Sequence, residues 1–283
     1  MASQSGLDPI SPDDARQILQ RLDVLERRQR MVGDFLVRAY WNALDEFETE
    51  RAGPGDMLVC LACGEAAPRA AHMVWTATCA FGGGRLERQQ CPACDCIFGP
   101  QKCLRAAQGV LDADLALVYE TYKESDGTAH EIRAFRLLDP KPGGLYLNWG
   151  SGAWSSAIET LRGEGYDVWG FEPNVEAASP HVARSRAEIS AKFDGIFSNN
   201  VLEHMSDPHA QFQEFAALLK PGGRMVHATP CYEHLCADTR FHVFFPLGEA
   251  PARLAARSGF TLQGAVRDGG FDARIFARAE QGA

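Results

Sequence analysis

The stretch LYLNWGSGAWSSAIETLRGEGYDVWGFEPN, residues 145 to 174, decides how the chain folds. An apolar run breaks at two glycines one residue apart, Gly150 and Gly152, and passes into a helix-length segment that ends in glycine. A second apolar run then closes on an acid, Glu172, 22 residues after Gly150. Strand, glycine turn, helix and strand in that order describe a parallel sheet covered by helices. The glycines let the backbone turn sharply and approach a ligand, and the following helix offers free amides. Ligands of such sheets sit outside the carboxyl ends of the strands, where these glycines fall. The third glycine of a dinucleotide loop is absent, with Trp154 and Ser155 in its place. Because Glu172 suits the ribose of any adenosine cofactor, this stretch alone leaves the cofactor open.

The segments downstream narrow it. KFDGIFSNN reads as a further strand, DPHAQFQEFAALLKPGG as a helix stopped by Pro221, Gly222 and Gly223, and RMVHATP as another strand. The run FDGIFSNNVLEHMSDP, followed by LLKPGGRMVHATP, closely resembles the fourth-strand to fifth-strand region of class I S-adenosylmethionine-dependent methyltransferases. The resemblance covers roughly residues 143 to 280 and implies an α/β, Rossmann-like seven-stranded sheet, with FTLQGAVRD and DARIFAR as its closing antiparallel hairpin. It also implies that Asn148, Gly150, Gly152, Glu172, Asn199 and Asn200 bind the cofactor. Asn148 departs from the family pattern, which usually has Asp or Glu there, near the cofactor's amino group. The amide keeps an acceptor and loses the charge.

Methyl transfer is an in-line displacement whose reactivity the cofactor brings, and it requires no metal. A hydroxyl acceptor must also lose a proton, work suited to histidine or a carboxylate. His204, Glu233 and His242 are the catalytic candidates, the latter two from the loop CYEHLCADTRFH after a strand end. His204 reads first as a residue that orders its loop and second as a base, and the loop itself reads equally as a polar lid.

Ahead of this domain lie Cys60-x-x-Cys63-Gly and Cys91-Pro-x-Cys94, separated by 27 residues. Two such turns each present a pair of thiolates, and four sulfurs satisfy tetrahedral zinc in a closed, structural site. Asp95 stands where glycine is usual, and Cys96 is close enough to substitute as a ligand. A cysteine ribbon ahead of such a domain resembles bacterial methyltransferases associated with sugar and surface-polysaccharide modification. Between Arg51 and Val110 there are six Lys/Arg and four Asp/Glu, too weak an excess for a phosphate-tracking surface.

At the amino-terminal end, Ser11, Pro12 and Asp13 start a helix on which Ile18, Leu22, Leu25, Gln29, Val32, Leu36 and Ala39 form a seam in steps of 4 and 3. The seam reads as a two-stranded coiled coil, giving a homo-oligomer, or as an amphipathic helix folded onto its own domain. The expected division is residues 1–52, helix; 53–108, zinc ribbon; and 109–283, methyltransferase domain.

The 283 residues carry a formal charge of −9. That argues for a small-molecule or glycan substrate over nucleic acid. No run is long and apolar enough for a membrane span, and the start lacks signal-peptide order, so a cytoplasmic enzyme is expected. The sequence thus predicts an S-adenosylmethionine-dependent methyltransferase acting on a sugar hydroxyl. The alternatives are an RNA methyltransferase and a non-catalytic scaffold with a degenerate domain.

Overall fold

The computed structural model describes residues 10–53, 55–119, 122–123, 125–152, 155–174 and 179–279; Trp154 lies outside them. The chain opens with α1 (Pro12–Arg51), 40 residues long. Ser11 caps it, its hydroxyl accepting from the Asp14 N–H at 3.1 Å, with Pro12 in the first turn and two acids facing the amino-terminal end of the dipole. A small β unit follows: β1 (Met57–Val59), β2 (Ala66–Pro68), β3 (Met73–Thr78), β4 (Arg85–Gln90) and β5 (Ile97–Phe98). Two helices, α2 (Gln101–Leu104) and α3 (Gln108–Tyr119), lead to α4 (Thr128–Leu137).

The larger unit then runs β6 (Leu145–Trp149), α5 (Ala157–Gly163), β7 (Asp167–Phe171), β8 (Val182–Ala183), β9 (Phe193–Asn199), α6 (Pro208–Leu218) and β10 (Leu219–Ala228). It ends with β11 (Phe244–Phe245), α7 (Ala250–Arg257), β12 (Phe260–Asp268) and β13 (Phe271–Arg278). Seven strands form one sheet in the order β12-β13-β10-β9-β6-β7-β8. All neighbours from β10 to β8 are parallel, and β13 is antiparallel to both β10 and β12. This is the mixed sheet expected from the sequence, with the closing hairpin where FTLQGAVRD and DARIFAR place it.

Successive residues of a strand point to opposite faces, and the two cores follow from that alternation. Tyr146, Phe197 and Val226 pack with Ala134 and Phe135 of α4 and Ile158 and Leu161 of α5. Their neighbours Leu147, Ile196 and Met225 pack on the other face with Phe212 and Phe215 of α6 and Leu254 of α7. That second core runs on without a break into Cys60, Cys91, Cys94 and Phe98 of the small unit.

One strand joins the two units. β11, from the far end of the sequence, pairs antiparallel with β5 and completes a four-stranded sheet, β11-β5-β4-β3. Among the described residues, α1 packs against the body through its carboxyl-terminal part, with Trp41, Val37 and Leu44. The seam residues Ile18, Leu22, Leu25, Val32 and Leu36 are each about half exposed. No helix among the described residues is long and apolar enough to cross a membrane.

Candidate active site

The carboxyl ends of β6, β7 and β9 open into a cleft of about 410 Å³, roofed by Leu115 and Tyr119 of α3. The quoted stretch builds one wall. After β6 the chain turns back over β7: the amides of Gly150 and Ser151 both donate to the Phe171 carbonyl, at 2.8 and 3.2 Å. Gly150 has φ +72°, and a Cβ there would lie 2.5 Å from a methyl carbon of Val201, so only glycine fits. Gly152, at φ +64°, has open space where a side chain would stand. Glu172, at the end of β7, accepts from the Gly152 amide at 3.1 Å and from the Asn174 amide at 3.0 Å, which fixes its carboxylate on the cleft wall. Asn199 and Asn200 line the cleft from the end of β9, with Asn200 in the left-handed region at φ +57°.

Asn148, one residue before the cleft-lining Trp149, is fully buried, and its amide donates to a carboxylate oxygen of Glu131 on α4. The charge that Asn148 lacks therefore stands beside it. Glu131 lines the cleft, and burial holds its carboxyl up at about 7, with the Asn148 contact acting the other way. Sequence reasoning missed this residue, although a signal existed. Glu131 falls on the same helical stripe as Ala134, Phe135 and Leu138, all buried, and an acid at a core position is a functional candidate.

Such a carboxyl costs stability when it ionises. Between pH 4.5 and about 7 the unfolded chain has released this proton while the folded chain keeps it, so stability falls as pH rises through that window and levels off above it. The fall amounts to about 3 kcal/mol. Urea unfolding of wild type and Glu131→Gln at pH 5, 6, 7 and 8 should show this slope in wild type and its loss in the variant. Equal slopes in both would remove Glu131 as its source.

The catalytic candidates are placed differently from one another. His204 lies on the cleft wall. Glu233 does not line the cleft; its carboxylate pairs with Arg267 of β12. His242 sits behind His204, ring centroids 4.8 Å apart, and burial, aided by the His204 charge, pushes its imidazole down to about 3. A base that weak accepts a proton poorly near neutral pH.

The four expected zinc ligands come together. Cys60 Sγ lies 3.6 Å from Cys94 Sγ, and Cys63 Sγ 3.7 Å from Cys91 Sγ. A tetrahedron with zinc–sulfur bonds of ~2.3 Å has edges of about 3.8 Å, so the spacing suits zinc. The two turns are built alike: Gly64 N–H donates to the Cys60 carbonyl and Asp95 N–H to that of Cys91, both at 3.0 Å, and both donors have positive φ. Cys60 N–H donates to the Glu65 carbonyl just as Cys91 N–H donates to that of Cys96. Cys96 is therefore the counterpart of Glu65 on the returning chain, and its thiol points to the Ile97 carbonyl. Burial pushes the Cys91 thiol up to about 11, and a cation among the four sulfurs would hold it as a thiolate.

The ribbon also holds the loop before β11. Arg88 of β4, fully buried, donates to the carbonyls of Ala237 and Thr239, each at 2.7 Å, and of His242 at 2.9 Å. Arg240 in that loop makes two 2.6 Å bonds to Asp114 of α3 and donates to the Phe81 carbonyl at 2.8 Å. Trp41 of α1 donates to the same carboxylate at 3.1 Å.

The chain belongs to the methyltransferase-domain family, whose model matches residues 123–272. It is an S-adenosylmethionine-dependent methyltransferase. Among solved structures it is similar to a 1,6-didemethyltoxoflavin-N1-methyltransferase from Burkholderia thailandensis, at 15% identity over 69% of this chain and 96% of that one, TM-score 0.48. A methyltransferase solved in complex with the Trm112 activator of Haloferax volcanii is similar at 13% identity over 62% of this chain and 97% of that one, TM-score 0.44. A possible histamine N-methyltransferase from Thermotoga maritima is similar at 19% identity over 54% and 90%, TM-score 0.41. No curated protein sequence matches the chain.

The residues present fit the cofactor. Ser151 Oγ on the cleft wall and Asn148 Oδ1 beside Glu131 are buried polar atoms with no partner among the described residues, and the space at Gly152 is open. Buried polar atoms of this kind are satisfied by a ligand or by water.

Proposed function

We infer that the enzyme methylates a hydroxyl of a neutral small molecule or glycan precursor, first of all a sugar hydroxyl. The observation that supports this acceptor is the charge of the cleft. Its described lining residues include neither lysine nor arginine; serine, asparagine and glutamine side chains and the carboxylates of Glu131 and Glu172 stand there instead. An RNA acceptor requires cations along its backbone. When bound, S-adenosylmethionine supplies a methyl group activated on a sulfonium.

In this reading Gly150 and Gly152 admit the methionine part by close backbone approach, and Glu172 accepts the ribose hydroxyls. Asn199 and Asn200 stand on the sulfonium side. The Asn148–Glu131 pair answers the ammonium group with an amide oxygen and a charge. His204 is the group placed to bind the acceptor oxygen. Offering methyl-labelled S-adenosylmethionine with a panel of nucleotide sugars and oligosaccharides, and separately with RNA, tests the acceptor. Label in a sugar, lost in Glu172→Ala, is expected; label in RNA with a steep salt dependence would replace this reading.

The division at residues 52 and 108 and a structural zinc on Cys60, Cys63, Cys91 and Cys94 belong to the same proposal. So does a dimer through α1. A helix folded onto its own body would bury the seam, yet the seam is bare and its 3,4 spacing suits a second copy. In a parallel pair, Arg21 of one copy meets Glu26 of the other. Sedimentation at tens of micromolar should give twice the 31.0 kDa chain mass, and Leu22→Glu with Leu36→Glu should give one chain. A monomeric wild type contradicts the dimer.

A further inference from the structure

We propose that Glu203, His204 and His242 form a divalent-cation site beside the cleft, separate from the cysteine cluster. One ligand atom from each lies within 4.8 Å of the others. Two segments contribute them, the turn after β9 and the chain just before β11, and these are tied together. The Val243 N–H donates to the Glu203 carbonyl at 2.8 Å, and His204 Nδ1 lies 3.1 Å from the Phe241 carbonyl. His242 Nδ1 lies 2.9 Å from the Cys236 carbonyl.

A carbonyl only accepts, so each ring carries its proton on Nδ1 and keeps the Nε2 lone pair free of it. Metal-ligating histidines are held this way, with tautomer and ring direction fixed by a backbone acceptor. Two neutral imidazoles and one carboxylate suit a borderline divalent ion such as Mn²⁺, Fe²⁺ or Co²⁺. Three protein ligands leave coordination positions for oxygen ligands from outside the chain. Because His204 is on the cleft wall, a cation here borders the acceptor space, and a hydroxyl or carbonyl oxygen is the ligand class it takes. The two histidines are then ligands, consistent with backbone contacts that hold their rings still.

The site rests on the preceding reading only in placing the acceptor next to His204; cation binding itself is read without any acceptor. The experiment is a Mn²⁺ titration followed by electron paramagnetic resonance on the full-length, zinc-loaded protein, since Mn²⁺ competes poorly for thiolates. One Mn²⁺ per chain is expected, weakened more than about tenfold in His204→Ala and in His242→Ala, with zinc content unchanged. His204 is exposed, so its variant decides the matter even where His242→Ala fails to fold. No Mn²⁺ bound by wild type at millimolar concentration, or equal binding in the histidine variants, overturns the proposal and leaves the sugar-hydroxyl reading standing.

Discussion

Replacing Cys60 and Cys63 together by serine is expected to lower methyl transfer on the order of a hundredfold, although neither residue lines the cleft. The path is physical. The cysteines hold the two turns of the ribbon, the ribbon supplies β5 to pair with β11, and β4 supplies Arg88 to hold the carbonyls of residues 237, 239 and 242. His242 and the ties to His204 hang from that frame. A unit of this size has little apolar core of its own, and a structural zinc contributes folding free energy directly. Zinc should fall to none per chain, and the amides of Phe244 and Phe245 should lose protection from hydrogen exchange. The cofactor end of the cleft, built on β6 and β7, should still bind S-adenosylhomocysteine. Unchanged protection at Phe244 and Phe245 in zinc-free protein would break this chain of cause.

The second large effect is expected at Arg240. Arg240→Ala removes both guanidinium bonds to Asp114, leaving a carboxylate that is 5% exposed with, among the described residues, the Trp41 N–H alone. Breaking a buried pair from one side costs about 3–5 kcal/mol, which for a chain of this size lowers the melting temperature by roughly 10 °C. The double variant Arg240→Met with Asp114→Leu should recover most of the loss, because no charge is then left without its partner. A fall of less than about 2 °C in the single variant, seen by calorimetry, would mean that solvent reaches Asp114 on its removal.

Much of the sheet was legible because its signals are local. Apolar runs end in glycine turns, Asp207 and Pro208 start α6, and the closing hairpin announces itself by two adjacent strand patterns. The cysteine turns were legible for the same reason: spacing along the chain is spacing in space when a turn closes it. What escaped is what depends on distance in sequence. β11 is two residues long and has no pattern of its own, and it becomes a strand only because β5 is there to pair with it. Arg88 and Arg240 carry no local pattern that marks them as buried; each is buried because backbone carbonyls or Asp114 satisfy it. Glu131 escaped because the family pattern has its charge on β6, whereas this chain carries one on α4, 17 residues before Asn148. Glu233 is the opposite case: a polar loop suggested chemistry, and its carboxylate pairs with Arg267 outside the cleft lining.

The central claim is that the cleft over Gly150, Gly152, Glu131 and Glu172 is a working cofactor site in spite of Asn148. Titration calorimetry with S-adenosylhomocysteine, run at pH 6 and pH 8 on wild type and Glu131→Gln, tests it most directly. One site per chain is expected in wild type, tighter at pH 8 than at pH 6, because the cofactor's ammonium favours the ionised form of a carboxyl that titrates near 7. The variant should bind more weakly at pH 8 and lose that dependence. No binding by wild type at millimolar ligand would contradict the account.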